Sequence, residues 1–182
     1  SMQLADKQEK RLVLKGTYPR WSPDGKKIVF VKGKKIMVMT ASGTYVRQVA
    51  SAHQPRAVVF HPDSSAVLYT DGKKIIQASI HRNSTKVIVQ DYEFKEIDID
   101  STGKKLVTTI KVFGGYLILA YNLDTGKMRK VTRGCSASLS PDGKYITVNS
   151  RSHRVLHLYS WDTLKKVGQI DAPKGRKFDN QF

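Results

Sequence analysis

The sequence contains a single cysteine, Cys135, so no disulfide can close within the chain, and redox chemistry does not fix its compartment. This thiol reads as a small hydrophobe near an inner strand and not as a nucleophile. Long apolar runs are also missing. The longest aliphatic and aromatic stretch, Tyr116 to Tyr121, falls far short of a bilayer span, so no membrane-spanning segment is expected. Helical periodicity is nearly absent, and with it any Gly-rich loop that would open a helix and cradle a phosphate. Acidic residues are scarce: 15 Asp plus Glu stand against 32 Lys plus Arg, a formal charge of +17. The excess favours acidic partners, whether protein, polyanionic glycan, nucleic acid or anionic membrane surface, and names none of them. Lysines that only keep strand edges from pairing would give the same excess.

What the sequence does contain is one tight turn written four times: Ser22-Pro23-Asp24-Gly25, His61-Pro62-Asp63-Ser64, Asp100-Ser101-Thr102-Gly103 and Ser140-Pro141-Asp142-Gly143. Proline presets φ for the second position of a type I turn, aspartate bonds the local backbone, and glycine tolerates the left-handed conformation that re-aims the chain. Apolar residues recur with the turn. Before it, Pro19 and Trp21, Val58 and Phe60, Ile97 and Ile99, and Ala137 and Leu139 alternate at strand spacing; after it, Ile28, Val67, Leu106 and Ile146 form one column. A period near 40 residues with several short strands per unit predicts propeller blades of four strands each. The fold class expected is therefore all-β: a β-propeller of about four four-stranded antiparallel blades, either an incomplete ring or a fragment of a larger one.

Each unit reads as inner strand, turn, second strand, hairpin, third strand, hairpin and outer strand. The first spans Tyr18 to Trp21, Lys27 to Lys32, Lys35 to Thr40 and Tyr45 to Val49; in the second, Asp71-Gly72 marks the hairpin between the middle strands. Residues 1–10 are polar and are expected to fray, and 11–182 form the propeller domain. Two strands lack partners in this scheme: an outer strand at Arg11 to Gly16 and an inner strand at Lys177 to Phe182. Self-association through such open blade edges is expected. No leader peptide is visible, and Ser1-Met2 has the look of a residue left by tag cleavage, so a longer natural start remains open.

Pro19-Arg20-Trp21-Ser22-Pro23-Asp24-Gly25-Lys26-Lys27-Ile28-Val29-Phe30 resembles the repeat of TolB-like propellers, and Leu139-Ser140-Pro141-Asp142-Gly143-Lys144-Tyr145-Ile146 matches nearly as well. WD-repeat proteins are the neighbouring likeness, through Trp161-Asp162 and Asn122-Leu123-Asp124-Thr125-Gly126-Lys127, although the Gly-His pair before each inner strand is missing. The TolB-like resemblance implies a bacterial, often periplasmic, protein-binding module. It also admits relatives fused to peptidases or acting as polysaccharide lyases.

No nucleophile, base and orienting acid can be assigned from spacing, and no catalytic, metal-binding or cofactor-binding residue is named. His153 and His157 lie on a turn and the strand after it, too far apart for joint metal ligation. His61 takes the place of the turn serine and is expected to cap that turn. The candidate partner-binding residues are Lys32, Lys34, Lys73, Lys74, Arg133, Arg151, Arg154, Lys174 and Arg176, on loops that a propeller gathers on one face, with Lys15, His53, Tyr92 and Phe113 nearby. Few acids share those loops: Asp71, Asp91, Glu93 and Asp171. The opposite face is basic too, through Lys26, Lys27, Arg82, Lys104, Lys105, Lys144, Lys165 and Lys166. The function expected is a non-catalytic module that binds a protein or other acidic macromolecule; the alternative is the propeller part of a peptidase or of a lyase acting on acidic polysaccharide. Nucleic-acid binding rests on charge alone, without an interleaved aromatic track.

Overall fold

The computed structural model describes residues 15–178. The N-terminal segment 1–10, most of the strand expected at Arg11 to Gly16 and most of that at Lys177 to Phe182 lie outside the described residues. Each repeat folds into one antiparallel sheet whose strands follow chain order. The first holds β1 (Thr17–Trp21), β2 (Lys27–Lys32), β3 (Lys35–Thr40) and β4 (Arg47–Ser51). The second holds β5 (Pro55–Phe60), β6 (Ala66–Asp71), β7 (Lys74–Ser79) and β8 (Thr85–Gln90). The third holds β9 (Glu93–Ile99), β10 (Lys105–Val112), β11 (Gly115–Asn122) and β12 (Met128–Arg133). The fourth holds β13 (Cys135–Leu139), β14 (Tyr145–Asn149), β15 (Val155–Ser160) and β16 (Lys166–Asp171).

The repeated turn works as a small side-chain circuit. Ser22 donates to Asp24 at 2.6 Å and Ser140 donates to Asp142 at 2.7 Å. His61 stands in the serine's place with Nδ1 2.8 Å from Asp63. In the third turn the roles are exchanged, and Thr102 donates to the buried Asp100 at 2.6 Å. In every copy the fourth residue's N–H returns to the first residue's carbonyl, at 2.8 to 3.1 Å. That fourth residue is left-handed throughout: Gly25, Gly103 and Gly143, and in the second turn Ser64, at φ 57° without the help of glycine.

Sheets pack face to face in the order of the chain. Val29, Val31, Ile36 and Val38 of the first meet Val58, Phe60, Val67 and Tyr69 of the second. Leu68 and Ile75 of the second meet Phe94, Ile97, Leu106 and Ile110 of the third, and Val107, Ile118 and Ala120 of the third meet Ala137, Leu139, Ile146 and Val148 of the fourth. The apolar column around each turn thus faces the preceding sheet. The inner strands β1, β5, β9 and β13 stand side by side in that order, and β1 and β13 face each other across the channel without pairing in a sheet. The four blades form an unclosed arc.

Two expectations are corrected. Pro19 and Trp21 do not bury one face of β1: Trp21 is 60% exposed, because its column would face a preceding sheet that the described residues do not supply. Only Ile28, Phe30 and Met39 make a small cluster there. The outer strand of the first blade also begins at Arg47 and not at Tyr45. Thr40 bonds Thr44 through both backbone and hydroxyl, which widens the preceding loop and leaves Tyr45 left-handed and 87% exposed.

Hydrogen bonds to Asp63 give an acid-stability prediction. Partial burial pushes its carboxyl up, but the Ser65 N–H, the Ser65 side chain and His61 outweigh that and bring it down to about 2. A depressed carboxylate stabilises the fold above its unfolded value and loses that contribution as pH falls through the folded value. Urea midpoints should therefore decline between about pH 5 and pH 2, and Asp63→Asn should shallow that decline. Parallel pH profiles for the two proteins would refute the assignment.

Candidate functional site

Two regions carry the polar groups that the packing leaves over: the channel between the inner strands, and the face where the blade-to-blade linkers gather. The channel holds a cavity of about 600 Å³ lined by β1, β5, β9 and β13, with Tyr18, Arg20, Arg56, Lys95, Glu96 and Ser136 on its wall. Glu96 accepts hydrogen bonds from Thr109 at 2.9 Å and from Ser136, on the next blade, at 3.2 Å. Asp98 accepts from the Leu139 N–H at 2.9 Å, again across the blade boundary, and from its neighbour Ile99 at 3.0 Å. Burial pushes the Asp98 carboxyl up, against those two N–H groups and the charge of Arg20. Burial likewise lowers Arg20, and Asp98 and Glu96 oppose it. Much of the channel charge is thus compensated within the wall, which ties neighbouring inner strands together.

One pair in this cavity escaped the sequence reading. Cys135 Sγ lies 3.0 Å from His153 Nε2, and His153 Nδ1 lies 3.2 Å from the Phe178 carbonyl. The carbonyl requires a proton on Nδ1, and in the tautomer that carries it there alone the thiol donates to Nε2. Burial pushes the thiol up, and Glu96 pushes it further. A thiol held up in this way stays protonated over a wider pH range, which keeps the sulfur a weak nucleophile. No sequence signal pairs these residues, because one opens an inner strand and the other sits left-handed in the β14–β15 turn. His157 turns elsewhere, edge-on to Tyr159 at 6.4 Å between ring centres.

The repeat fixes the two ends of the arc. On one end the loop between the third and outer strands of each blade bonds its own repeated turn: Ala41 to Lys26, Ile80 to Ser65, Leu123 to Lys104 and Trp161 to Lys144. On the other, the linker leaving each outer strand bonds the hairpin between the second and third strands: Ala52 to Lys34, Asp91 to Lys73, Gly134 to Tyr116 and Ala172 to Arg154. The candidate cations sit at this second end. Lys32 and Lys34 flank Gly33, Lys73 and Lys74 follow Gly72, Arg151 and Arg154 span the β14–β15 turn, Arg133 closes β12, and Lys174 and Arg176 follow β16. All are exposed.

The close pairs of opposite sign among the described residues fall mostly at the turn end. On the turn end, Lys104 pairs with Asp124 at 3.2 Å, Lys144 with Asp142 at 3.4 Å, and His61 with Asp63. Lys105 donates to the Gly143 carbonyl at 2.9 Å and lies 5.3 Å from the Trp161 ring centre. Arg129 donates to the Trp161 and Asp162 carbonyls and covers the same ring. On the linker end, Asp71 is engaged by the His53 and Gln54 N–H groups, and Glu93 by Lys95. No candidate cation takes part in an ion pair among the described residues. Two of them have structural work: Arg133 donates to the Phe113 carbonyl at 3.3 Å and Arg151 to that of Gly114.

Four sheets packed face to face around a channel define a β-propeller protein. No protein-family profile matches the sequence, and no curated protein does. Solved structures match its fold. TolB from Acinetobacter baumannii gives a TM-score of 0.70 at 22% identity, over 81% of this chain and 41% of that one. Hydrazine synthase from Kuenenia stuttgartiensis gives 0.70 at 16% identity, over 92% and 52%. A structure of the nidogen/laminin complex gives 0.66 at 15% identity, over 82% and 60%. The chain spans about half the length of the structures it matches, and its architecture is that of a TolB-like propeller. Among the described residues no helix is long and apolar enough to cross a membrane.

The thiol geometry predicts a pH dependence. Alkylation of Cys135 by iodoacetamide should reach half its limiting rate at a higher pH than an unfolded cysteine peptide does, and Glu96→Gln should shift that midpoint down. An ordinary thiol midpoint, unmoved by Glu96→Gln, would show that the sulfur does not sit where these contacts place it.

Proposed function

We propose that residues 11–182 are the propeller domain of a non-catalytic binding module, which takes a protein partner through the linker end of its blades. The observation that carries this reading is the partition of charge. On the turn end Lys104 and Lys144 pair with Asp124 and Asp142 and Lys105 donates to a carbonyl, whereas none of Lys32, Lys34, Lys73, Lys74, Arg154, Lys174 and Arg176 has an acidic partner among the described residues. Unanswered surface charge of one sign attracts its opposite and raises encounter rates with it. Arg133 and Arg151 belong to the same surface and also fix the loop between them.

The TolB likeness and the nidogen/laminin complex support a role in protein association, and the likeness of the repeats to TolB supports an extracytoplasmic, periplasmic setting. The exposed edge residues Trp21, Val167 and Ile170 support association of further blades or of a second copy at the ends of the arc.

Two variants with the same change in net charge test the partition. In one, Lys73, Lys74, Arg154 and Lys174 become Glu; in the other, Lys26, Lys104, Lys144 and Lys165 do. Anisotropy of labelled poly-glutamate at low salt should report a loss of about tenfold or more for the first and a much smaller one for the second. Equal losses would show that no face is preferred and would remove this reading.

A further inference from the structure

The loop held by Arg133 and Arg151 presents an aromatic ring to water. Phe113 is 100% exposed at the tip of the β10–β11 hairpin, beyond the pair formed by Val112 and Gly115. An exposed phenylalanine at a hairpin tip ordinarily folds back onto the nearest apolar surface, because burial of the ring is favourable. Here the ring stays in water on a tip whose backbone is tied down. The Phe113 carbonyl accepts from Arg133, and the Gly114 carbonyl accepts from Arg151 of the neighbouring blade, so two successive peptide groups are tied down from different sides. Gly114 at φ 75° and Gly115 at φ 136° make this path available. A Cβ on Gly115 would also come within 3.2 Å of the Arg151 guanidinium.

We propose that Phe113 is the anchor of the docking surface: a fixed aromatic knob that enters an apolar socket on a partner protein, with carboxylates around the socket meeting the cations of this face. The inference rests on the binding-module reading above and adds the chemistry of the partner. Lys111 lies two residues before Phe113, Arg133 and Arg151 reach the carbonyls of the same tip, and Lys73, Lys74 and Arg154 belong to the corresponding hairpins of the two neighbouring blades. A central aromatic within a polar rim is the arrangement that concentrates binding energy at protein interfaces. A tip already held in place loses little freedom on binding, so the affinity that its burial brings is not spent on ordering a loop. Phe113 makes no ring-to-ring contact among the described residues, which favours a protein socket over single-stranded nucleic acid. The latter stacks on successive aromatic platforms along a groove, and the nearby Tyr92 is packed edge-on to Phe94 at 6.0 Å.

Phage-displayed random peptides selected on the immobilised protein supply the probe, with the enriched sequences then synthesised and titrated. The enriched peptides should combine Asp or Glu with a cluster of large apolar residues. They should bind Phe113→Ser about 30-fold more weakly, and that variant, altered only at an exposed tip, should keep the thermal midpoint of the parent. Peptides that weaken on Lys73→Glu, Lys74→Glu and Arg154→Glu but bind Phe113→Ser normally would overturn the anchor and leave the binding-module reading in place. Peptides indifferent to all four changes, or no enrichment at all, would overturn the anchor, and with it the peptide-docking role of the face. If oligo(dT) binds with a larger Phe113 dependence than any peptide, the partner class is wrong.

Discussion

Each blade is a sheet with apolar side chains on both faces, and neither face can leave water until another sheet covers it. That mutual dependence governs the whole molecule. Val29, Val67, Leu106, Ile146 and Val148 are fully buried only because a neighbouring sheet lies against them. Trp21 shows the converse at one end of the arc, and Val167 and Ile170 show it at the other. Stability in such an array is a sum of contacts between neighbours, so the end blades, each covered on one side by a blade of the described residues, are held least firmly.

The repeated turn sets the spacing at which those sheets follow one another. Its side-chain circuit tolerates exchange of parts: serine and aspartate, histidine and aspartate, or aspartate and threonine all bridge the first and third positions. Because donor and acceptor can trade places, the third copy keeps the geometry while sharing little of the sequence. Its Asp100 goes further than the serines do, accepting from the N–H groups of Lys104 and Lys105.

Local signals made most of the fold legible in the sequence. Turns and two-residue hairpins are written within a few residues, and the apolar columns reveal which strand faces inward. What was lost depends on distance in the chain. Trp21 obeys the same pattern as Phe60, and only the absence of a neighbour among the described residues leaves it in water. Tyr45 was misplaced because a threonine pair lengthens its loop. Glu96, Asp98, Cys135 and His153 meet around the channel through the curvature of the arc, which no spacing encodes. Likewise the sequence displays basic residues at both ends alike, and only the contacts single out Lys104 and Lys144 as paired.

Sheets built entirely from consecutive strands, each turning its column towards the sheet before it, have a consequence for synthesis. A nascent chain leaving the ribosome completes one blade before the next begins, and every new blade emerges with a prepared surface waiting for it. Growth can thus proceed in one direction along the described residues, each blade templating its successor.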